Sequence, residues 1–136
     1  MFKFSIVSPE RVLYDQEVKS IVVPGSEGYL GILSHHAPII TALIPGKVTI
    51  TESDDEKQRI VAVSGGFLEV SDNVAIILAD SVEFLEEIDL DRAQSAYERA
   101  KERLGLKDPD IDLFRVRRAL ERAENRIRIA REKHSS

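Results

Sequence analysis

The pattern of apolar residues along this chain changes abruptly near residue 86, and that change restricts the folds open to it. Six of the seven glycines and four of the five prolines lie in residues 1–86, among short apolar runs. Beyond residue 86 the chain is arginine-rich, and its only glycine and proline, Gly105 and Pro109, lie close together. Glycine and proline punctuate strands and turns, whereas long stretches without them are typical of helices. A β module followed by two helices is therefore predicted.

The first part reads as short strands separated by turn residues. Phe2, Phe4 and Ile6 alternate with polar residues, which is the period of a half-buried strand. Gly65-Gly66 is interpreted as a tight turn between two strands. Eight to ten strands with no helix between them favour an antiparallel sandwich or barrel. The other turn signals are Pro24-Gly25, the acidic segment 52–56 and Asp72-Asn73.

The second part carries two helical repeats with narrow apolar seams. Gly105 is predicted to end the first helix, and Asp108-Pro109 is predicted to cap and begin the second. Both seams are rich in alanine and bury little area, so the hairpin is predicted to be marginally stable and able to open. The seams are spaced three or four residues apart and consist of Leu90, Ala93, Tyr97, Ala100 and Leu104, and of Leu113, Val116, Leu120, Ala123, Ile127 and Ala130.

The net charge of the chain also changes near residue 86, where the spacing of the apolar residues changes. Residues 1–86 carry a net charge of −7, whereas residues 87–136 carry +2. Residues 115–133 hold eight basic and three acidic side chains, a local excess that suits an anionic partner. The absence of cysteine excludes disulfides, thiolate metal sites and cysteine nucleophiles. No run is long enough to span a bilayer, and no signal or transit peptide is recognised.

Catalysis finds little support in the sequence. There is no phosphate loop of the Gly-x-x-x-x-Gly-Lys-Ser/Thr type, no Gly-x-Ser-x-Gly and no His-Glu-x-x-His. His35 and His36 are adjacent and would point to opposite faces of an extended segment, which makes them a poor metal pair. Ser64 has no evident acid–base partner. No catalytic or metal-ligating residue is therefore predicted. The alternative is a small nucleotide-handling enzyme, and the absence of a phosphate loop argues against it.

Stripes of arginine on both helices are the stronger candidates for a binding site. Arginine forks bind phosphate bidentately, and stripes on paired helices can flank one groove. The alternative is that these arginines are solvated or paired with glutamates. Asp89 opens the first helix, where it caps backbone N–H groups or bonds a ligand. The stripes are Arg92, Arg99 and Arg103 on the first helix, and Arg115, Arg118, Arg122 and Arg126 on the second.

A nucleic-acid module is a further candidate for the same arginines. The net acidic charge of the chain and the lack of aromatic residues among the arginines oppose it. No nucleic-acid partner is expected. Binding to RNA or DNA that weakens with salt would distinguish such a module from the other candidates.

Two motifs resemble those of a known family. The first is Gly28-Tyr29-Leu30-Gly31-Ile32-Leu33 with His36-Ala37-Pro38, and the second is Ser64-Gly65-Gly66-Phe67-Leu68-Glu69-Val70. Their order and spacing resemble the epsilon subunit of the rotary F-type ATP synthase, bacterial type. The resemblance runs the full length of the chain. It implies an α+β protein, with an N-terminal antiparallel β-sandwich of about ten strands in residues 1–86 and a two-helix hairpin in residues 87–136.

The resemblance also implies a role and partners. In that family the subunit is a non-catalytic part of the central stalk, whose sandwich docks on the gamma subunit and the c-ring. Its helical domain either folds as a hairpin or extends along gamma toward the alpha and beta subunits, where it restrains ATP hydrolysis. The expected location is the cytoplasmic side of a bacterial cell membrane, with membrane association only through the complex. A plastid-encoded origin stays open.

A finer resemblance concerns ATP itself. The segment Ile88-Asp89-Leu90-Asp91-Arg92-Ala93 fits the Ile/Leu-Asp-x-x-Arg-Ala motif of family members that bind ATP in the folded hairpin. It implies ATP as a regulatory ligand and no obligatory cofactor. The alternative is a purely structural rotor subunit without ATP sensing. The implied ATP-binding residues are Glu83, Ile88, Asp89, Arg92, Ala93, Arg99, Arg115, Arg122 and Arg126.

Overall fold

The computed structural model describes residues 1–53, 57–106, 110 and 112–135. It divides into two compact units, Met1–Phe84 and Leu85–Ser136, each of which is described by itself. The tip of the predicted acidic turn, residues 54–56, and the predicted helix start at Asp108-Pro109 lie outside the described residues.

The first unit is built of strands, as predicted. In the described residues there are eight of them rather than about ten, and one long strand over residues 58–71 replaces two shorter predicted ones. All but one of the strand pairs are antiparallel, the exception being β1 with β8. The strands are β1 (Phe2–Val7), β2 (Val12–Val18), β3 (Ser20–Gly25), β4 (Gly28–Leu33), β5 (Ile39–Ala42), β6 (Gly46–Thr51), β7 (Gln58–Ser71) and β8 (Val74–Phe84).

The two long strands, β7 and β8, form one hairpin that is shared by both layers of a sandwich. Residues 58–63 of β7 pair with β6, whereas residues 67–70 pair with β5. One layer therefore runs β2-β1-β8-β7-β5 and the other runs β8-β7-β6-β3-β4. Asp72 and Asn73 turn this hairpin with φ of 52° and 61°, as predicted for a two-residue turn.

The interpretation of Gly65-Gly66 as a turn between strands is wrong. Both glycines lie inside the continuous strand β7, at the corner where it changes its partner from β6 to β5. Gly66 has φ of 119°, and a Cβ there would lie 2.1 Å from the carbonyl oxygen of Leu78. The glycines therefore permit a bend and a close approach of β8. Pro24-Gly25 is likewise the end of β3, since the turn follows at Ser26 and Glu27.

Large apolar side chains fill the space between the layers. Phe4, Ile6, Leu68 and Ile77 are completely buried, and each lies on a strand whose alternate residues face outward. Valine and isoleucine dominate the remaining core, as the period-2 pattern predicted. This unit therefore carries a conventional hydrophobic core of its own.

The second unit is a helical hairpin. A 3₁₀ turn at Leu85–Glu87 leads into α1 (Leu90–Gly105), which pairs with α2 (Leu113–Ser135). Gly105 ends the first helix, as predicted. The second begins at Leu113, where the Asp112 carboxylate accepts a 3.2 Å hydrogen bond from the Arg115 N–H. In the described part of the chain, neither helix is long and apolar enough to cross a membrane.

The predicted seam is present but thin. Ala93 and Ala100 are the buried residues of α1, and on α2 the seam residues Val116, Ala123 and Ala130 are buried. Leu113 was predicted to be part of the seam, but it lies at the first residue of α2 and is half exposed. Asn125 and Ile129 are buried although they lie off the seam.

Candidate functional site

A groove runs along one flank of the helical hairpin. Its volume is about 1090 Å³, at the upper end of the range of small-molecule sites in proteins. Five of its lining residues are arginines, and we call it the arginine groove. Its arginines are Arg99 and Arg103 from α1 and Arg115, Arg122 and Arg126 from α2.

Helical spacing places these arginines on one flank. Arg115, Arg122 and Arg126 are separated by seven and four residues, which returns each side chain to nearly the same angle around α2. Arg99 and Arg103 are one turn apart on α1. Because the two helices pair, five of the seven arginines in the predicted stripes flank the same groove, whereas Arg92 and Arg118 do not line it.

The electrostatics of the groove favour an anion. Among the described lining residues, five guanidinium groups face three carboxylates, those of Glu102, Asp110 and Asp112. The side chains of Arg99, Arg103, Arg115 and Arg122 form no ion pair with any described residue. Several unpaired cations close together repel one another, and an anion bound among them would remove that repulsion.

Small residues form the wall between the arginine stripes. Ala96 and Ala100 of α1 and Ala119 and Ala123 of α2 line the groove. A methyl group takes little space, so the helices approach closely and the long arginine side chains can reach across a common ligand. Two of these alanines, Ala100 and Ala123, also belong to the thin seam between the helices.

The opposite flank of the hairpin carries a second groove, whose lining is more acidic. A groove of about 1300 Å³ on that side contains four carboxylates and two guanidinium groups. Tyr97 and Ile127 add aromatic and aliphatic surface to it. Size alone would favour this second groove. Charge favours the arginine groove for a phosphate, because a net negative lining opposes a polyanion.

The structure brings together four of the nine predicted ATP-binding residues: Arg99, Arg115, Arg122 and Arg126 line the arginine groove. Arg92 is exposed and lies two helical turns before Arg99 on α1, and it is not among the groove-lining residues. Arg103 lines the groove but is not part of the predicted site, although its place in the stripe is visible in the sequence.

The remaining predicted residues have structural roles of their own. Ala93 is buried in the seam, and the N–H of Ile88 donates to the carbonyl oxygen of Leu85 at 3.2 Å. Glu83 is half-buried in β8 of the first unit, opposite Ala62 of β7. None of these three predicted residues is among those that line the arginine groove.

Asp89 is the N-cap of α1. Its carboxylate accepts a 3.2 Å hydrogen bond from the Arg92 N–H, and its carbonyl oxygen accepts a 2.9 Å bond from the Ala93 N–H. The carboxylate is exposed. Capping, the structural alternative for this residue, is therefore satisfied without any ligand.

His35, His36 and Ser64 belong to the first unit, and none of them is among the groove-lining residues. His35 has φ of 63°, and its backbone N–H donates to Asn73 Oδ1 at 2.7 Å. Ser64 is buried within β7. Among the described residues no group of three histidines or carboxylates is placed to hold a metal ion.

Comparison with protein families gives one match for each part of the chain. Residues 1–85 match the beta-sandwich domain of the ATP synthase delta/epsilon chain. Residues 86–131 match the long alpha-helix domain of the same chain. The two matches meet within one residue of the boundary between the structural units.

Individual relatives agree with the family match. The chain is 48% identical to the ATP synthase epsilon chain of Protochlamydia amoebophila over 134 residues, covering 98% of this chain and 90% of the relative. It is 43% identical to the epsilon chain of Desulforamulus reducens, covering 94% and 96%. Among solved structures, a chain of the Euglena gracilis mitochondrial ATP synthase superposes with a TM-score of 0.77 at 26% identity, covering 98% of this chain and 80% of that one.

Proposed function

Because this chain belongs to the ATP synthase delta/epsilon chain family, as a bacterial-type epsilon subunit of the central stalk, we propose that its helical unit is an ATP-sensing brake on ATP hydrolysis. The subunit is not itself an enzyme. In this proposal the sandwich anchors the chain to the rotor of a proton-translocating complex. The folded hairpin holds ATP, and the opened hairpin restrains the catalytic subunits.

The sandwich offers apolar surface for docking on the gamma subunit and the c-ring. Phe67 and Leu78 lie opposite each other in the β7–β8 register, and both are more than half exposed. Ile40, on the neighbouring strand β5, is 73% exposed. Adjacent exposed apolar side chains of this kind mark interaction surfaces. Through these contacts the subunit would be held peripherally at the cytoplasmic side of the cell membrane.

The observation that carries the ATP proposal is the convergence of five guanidinium groups from two helices in the arginine groove, where they outnumber the carboxylates of the described lining residues. A triphosphate offers several negatively charged oxygens along a short chain, and arginine recognises such oxygens bidentately. A hydrogen bond to a charged group contributes about 1.5–3 kcal/mol. Association itself has a cost of several kcal/mol, so several such bonds, from arginines of both helices, would have to form together.

Bound ATP would decide whether the hairpin stays folded. A ligand that binds only the folded state stabilises it by about 2.7 kcal/mol when its concentration is a hundred times Kd. The alanine seam contributes little, so an increment of that size shifts the balance between folded and opened hairpins. When ATP is scarce, α2 would be released, and its basic side chains would meet acidic surface on the alpha and beta subunits.

A purely structural rotor subunit is the second candidate, and a specific observation favours it. Asp89, the central acid of the implied ATP motif, already caps α1 and has a complete structural explanation. If all motif residues act in this way, the hairpin is a brace and binds no nucleotide.

Calorimetric titration of the full chain with ATP, with and without magnesium, tests the proposal. We expect saturable one-to-one binding without turnover. Arg122→Ala should weaken binding about 10-fold or more, since it removes a charged hydrogen bond. Arg117→Ala is the matched control, because Arg117 is an exposed arginine of α2 that does not line the groove. Flat heats in the wild-type chain would leave only the structural role.

A further inference from the structure

The last residue of the sandwich unit, Phe84, is held by an arginine from another strand. The guanidinium carbon of Arg59, on β7, lies 4.5 Å from the centre of the Phe84 ring. The same carbon lies 6.0 Å from the centre of the Tyr14 ring. Arg59 therefore sits over two aromatic rings at the point where the chain leaves the sandwich. A cation is attracted to the negative face of an aromatic ring, and the attraction is stronger where the cation is less hydrated.

Tyr14 and Glu52 hold this arginine in place. The Tyr14 hydroxyl donates a 2.9 Å hydrogen bond to Glu52 Oε1, and the same oxygen lies 4.0 Å from Arg59 Nε. The Tyr14 ring packs between Phe4 and Phe84, with centroid distances of 5.7 Å and 6.3 Å. Burial, together with the bond to Glu52, raises the pKa of the Tyr14 hydroxyl, so it remains a donor at ordinary pH.

The contacts join segments that are remote in sequence. Tyr14 comes from β2, Glu52 follows β6, Arg59 belongs to β7, and Phe84 ends β8 opposite Val61. Removing any one of them would leave the end of β8 with ladder hydrogen bonds but with less side-chain packing. Strand ends with few side-chain contacts fray at low cost in free energy.

We propose that Arg59 is a positioning residue that anchors Phe84, so that the chain leaves the sandwich from a fixed point and movement of the helical unit is confined to residues beyond it. The movement of the helical unit rests on the proposed function, whereas the anchoring of Phe84 rests only on the contacts described above. A consequence is that Glu83, the neighbour of Phe84 and an implied ATP contact, is held in register with β7. The 3₁₀ turn at Leu85–Glu87 then becomes the first segment free to change.

Amide hydrogen exchange of the full chain, resolved by residue, tests the anchor. In Arg59→Ala the protected amides between Val82 and Phe84 should exchange at least about 10-fold faster, while those at residues 75–79 keep their wild-type rates. Arg11→Ala is the control, since it removes an exposed arginine from the same unit without touching Phe84. Wild-type rates at 82–84 in Arg59→Ala, or a uniform rise across β8, would overturn the anchor.

A double-mutant cycle separates anchoring from general stabilisation. Phe84→Leu keeps an apolar side chain but removes the ring on which Arg59 lies. In that background Arg59→Ala should change exchange at residues 82–83 by less than about 2-fold, because the partner is already absent. An undiminished effect would mean that Arg59 acts through another contact.

ATP titration of the same variants keeps this proposal distinct from the proposed function. A wild-type chain that gives flat heats, with local acceleration in Arg59→Ala, would retain the anchor and lose ATP sensing. A chain that binds ATP and shows no local acceleration in the variant would retain ATP sensing and lose the anchor.

Discussion

The sandwich and the helical hairpin are stabilised by contacts of different kinds. The interior of the sandwich is filled by large side chains such as Phe4, Leu68 and Ile77, all completely buried. The interior of the hairpin consists mainly of alanines, with Ala100 of α1 and Ala123 of α2 among them. Burying a large apolar side chain contributes about 1.5–3 kcal/mol, whereas a methyl group contributes about 0.8 kcal/mol.

This difference determines what each region can do. A region with a large core holds one structure whether or not a ligand is present, which suits a surface that must stay docked. A region whose core is thin depends on further interactions, so a ligand or partner can change its state. In this chain the region with the thin core also holds the arginine groove, so the weak seam and the candidate binding site belong to the same pair of helices.

The largest expected effect comes from removing one region altogether. Deleting residues 87–136 should leave a folded sandwich, because its core contains no residue of the helices. ATP binding should disappear, and hydrolysis by the assembled complex should rise about 5-fold or more, the lower end of typical coupling between sites. Steady-state ATPase assays of complexes reconstituted with either form measure this. Equal restraint by the truncated subunit would contradict the brake.

Truncating one buried side chain in each region comes next. Ile77→Ala should lower the free energy of unfolding of the sandwich by about 2–5 kcal/mol, the usual result for a completely buried isoleucine. Ala123→Gly should destabilise the hairpin by no more than about 2 kcal/mol, of which about 1 kcal/mol is the extra backbone entropy of glycine and about 0.8 kcal/mol is the lost buried methyl group. Denaturant unfolding followed by circular dichroism measures both changes. A single transition shifted equally by the two substitutions would contradict the separation of the regions.

Replacing a glycine by alanine should change stability in opposite directions in the two regions. Gly66→Ala should destabilise the sandwich by about 1–3 kcal/mol from backbone strain alone, and the clash with Leu78 adds to it. Gly105→Ala should stabilise α1 by about 0.4–1 kcal/mol, since nothing lies within 4 Å of the position that a Cβ would take there and its φ is ordinary for a helix. Thermal unfolding of the two variants tests the signs, and a loss of stability in Gly105→Ala would contradict this view of the hairpin end.

The glycines also show which parts of the fold could be predicted from the sequence and which could not. The change from period 2 to period 3.6 predicted a sandwich followed by a hairpin, and that prediction is confirmed. The prediction of a turn at Gly65-Gly66 is wrong because a pair of glycines serves equally for a turn and for a bend inside one strand. Only the pairing partners on either side distinguish the two, and those are set by distant residues.

The candidate site, like the fold, could be predicted from the sequence only in part. The spacing of the arginines within each helix predicted that they would lie on one flank, and four of the predicted residues line the groove. Whether Arg92 or Arg103 belongs to the groove depends on how the helices are staggered, which periodicity does not specify. The burial of Asn125 and Ile129 was missed for a related reason, since seam spacing indicates only the face turned to the partner helix.

Alkaline pH should act on the sandwich through Tyr14. The pKa of its hydroxyl is raised in the folded state by burial and by Glu52, so above about pH 10 the unfolded chain loses a proton that the folded chain keeps. Stability should therefore be complete below about pH 10 and fall above it by up to about 1.4 kcal/mol per pH unit. Tyr14→Phe should remove that slope, whereas Tyr29→Phe, at an exposed position, serves as the control. Equal slopes in both variants would exclude Tyr14 as the cause.

The smallest expected effect on stability concerns the two helix caps, and it bears on whether the hairpin binds a nucleotide. Asp89 and Asp112 make equivalent 3.2 Å bonds to the first turns of α1 and α2. Asp89→Ala and Asp112→Ala should each lower the stability of the hairpin by about 1 kcal/mol, because each removes a helix cap.

If Asp89 also contacts ATP, only Asp89→Ala should weaken ATP binding beyond the loss expected from reduced helix stability. Since Asp112 lines the arginine groove, its removal eliminates a negative charge there and should strengthen ATP binding once the cap loss is subtracted. If Asp89→Ala weakens binding only by the loss expected from reduced helix stability, Asp89 acts as a cap alone.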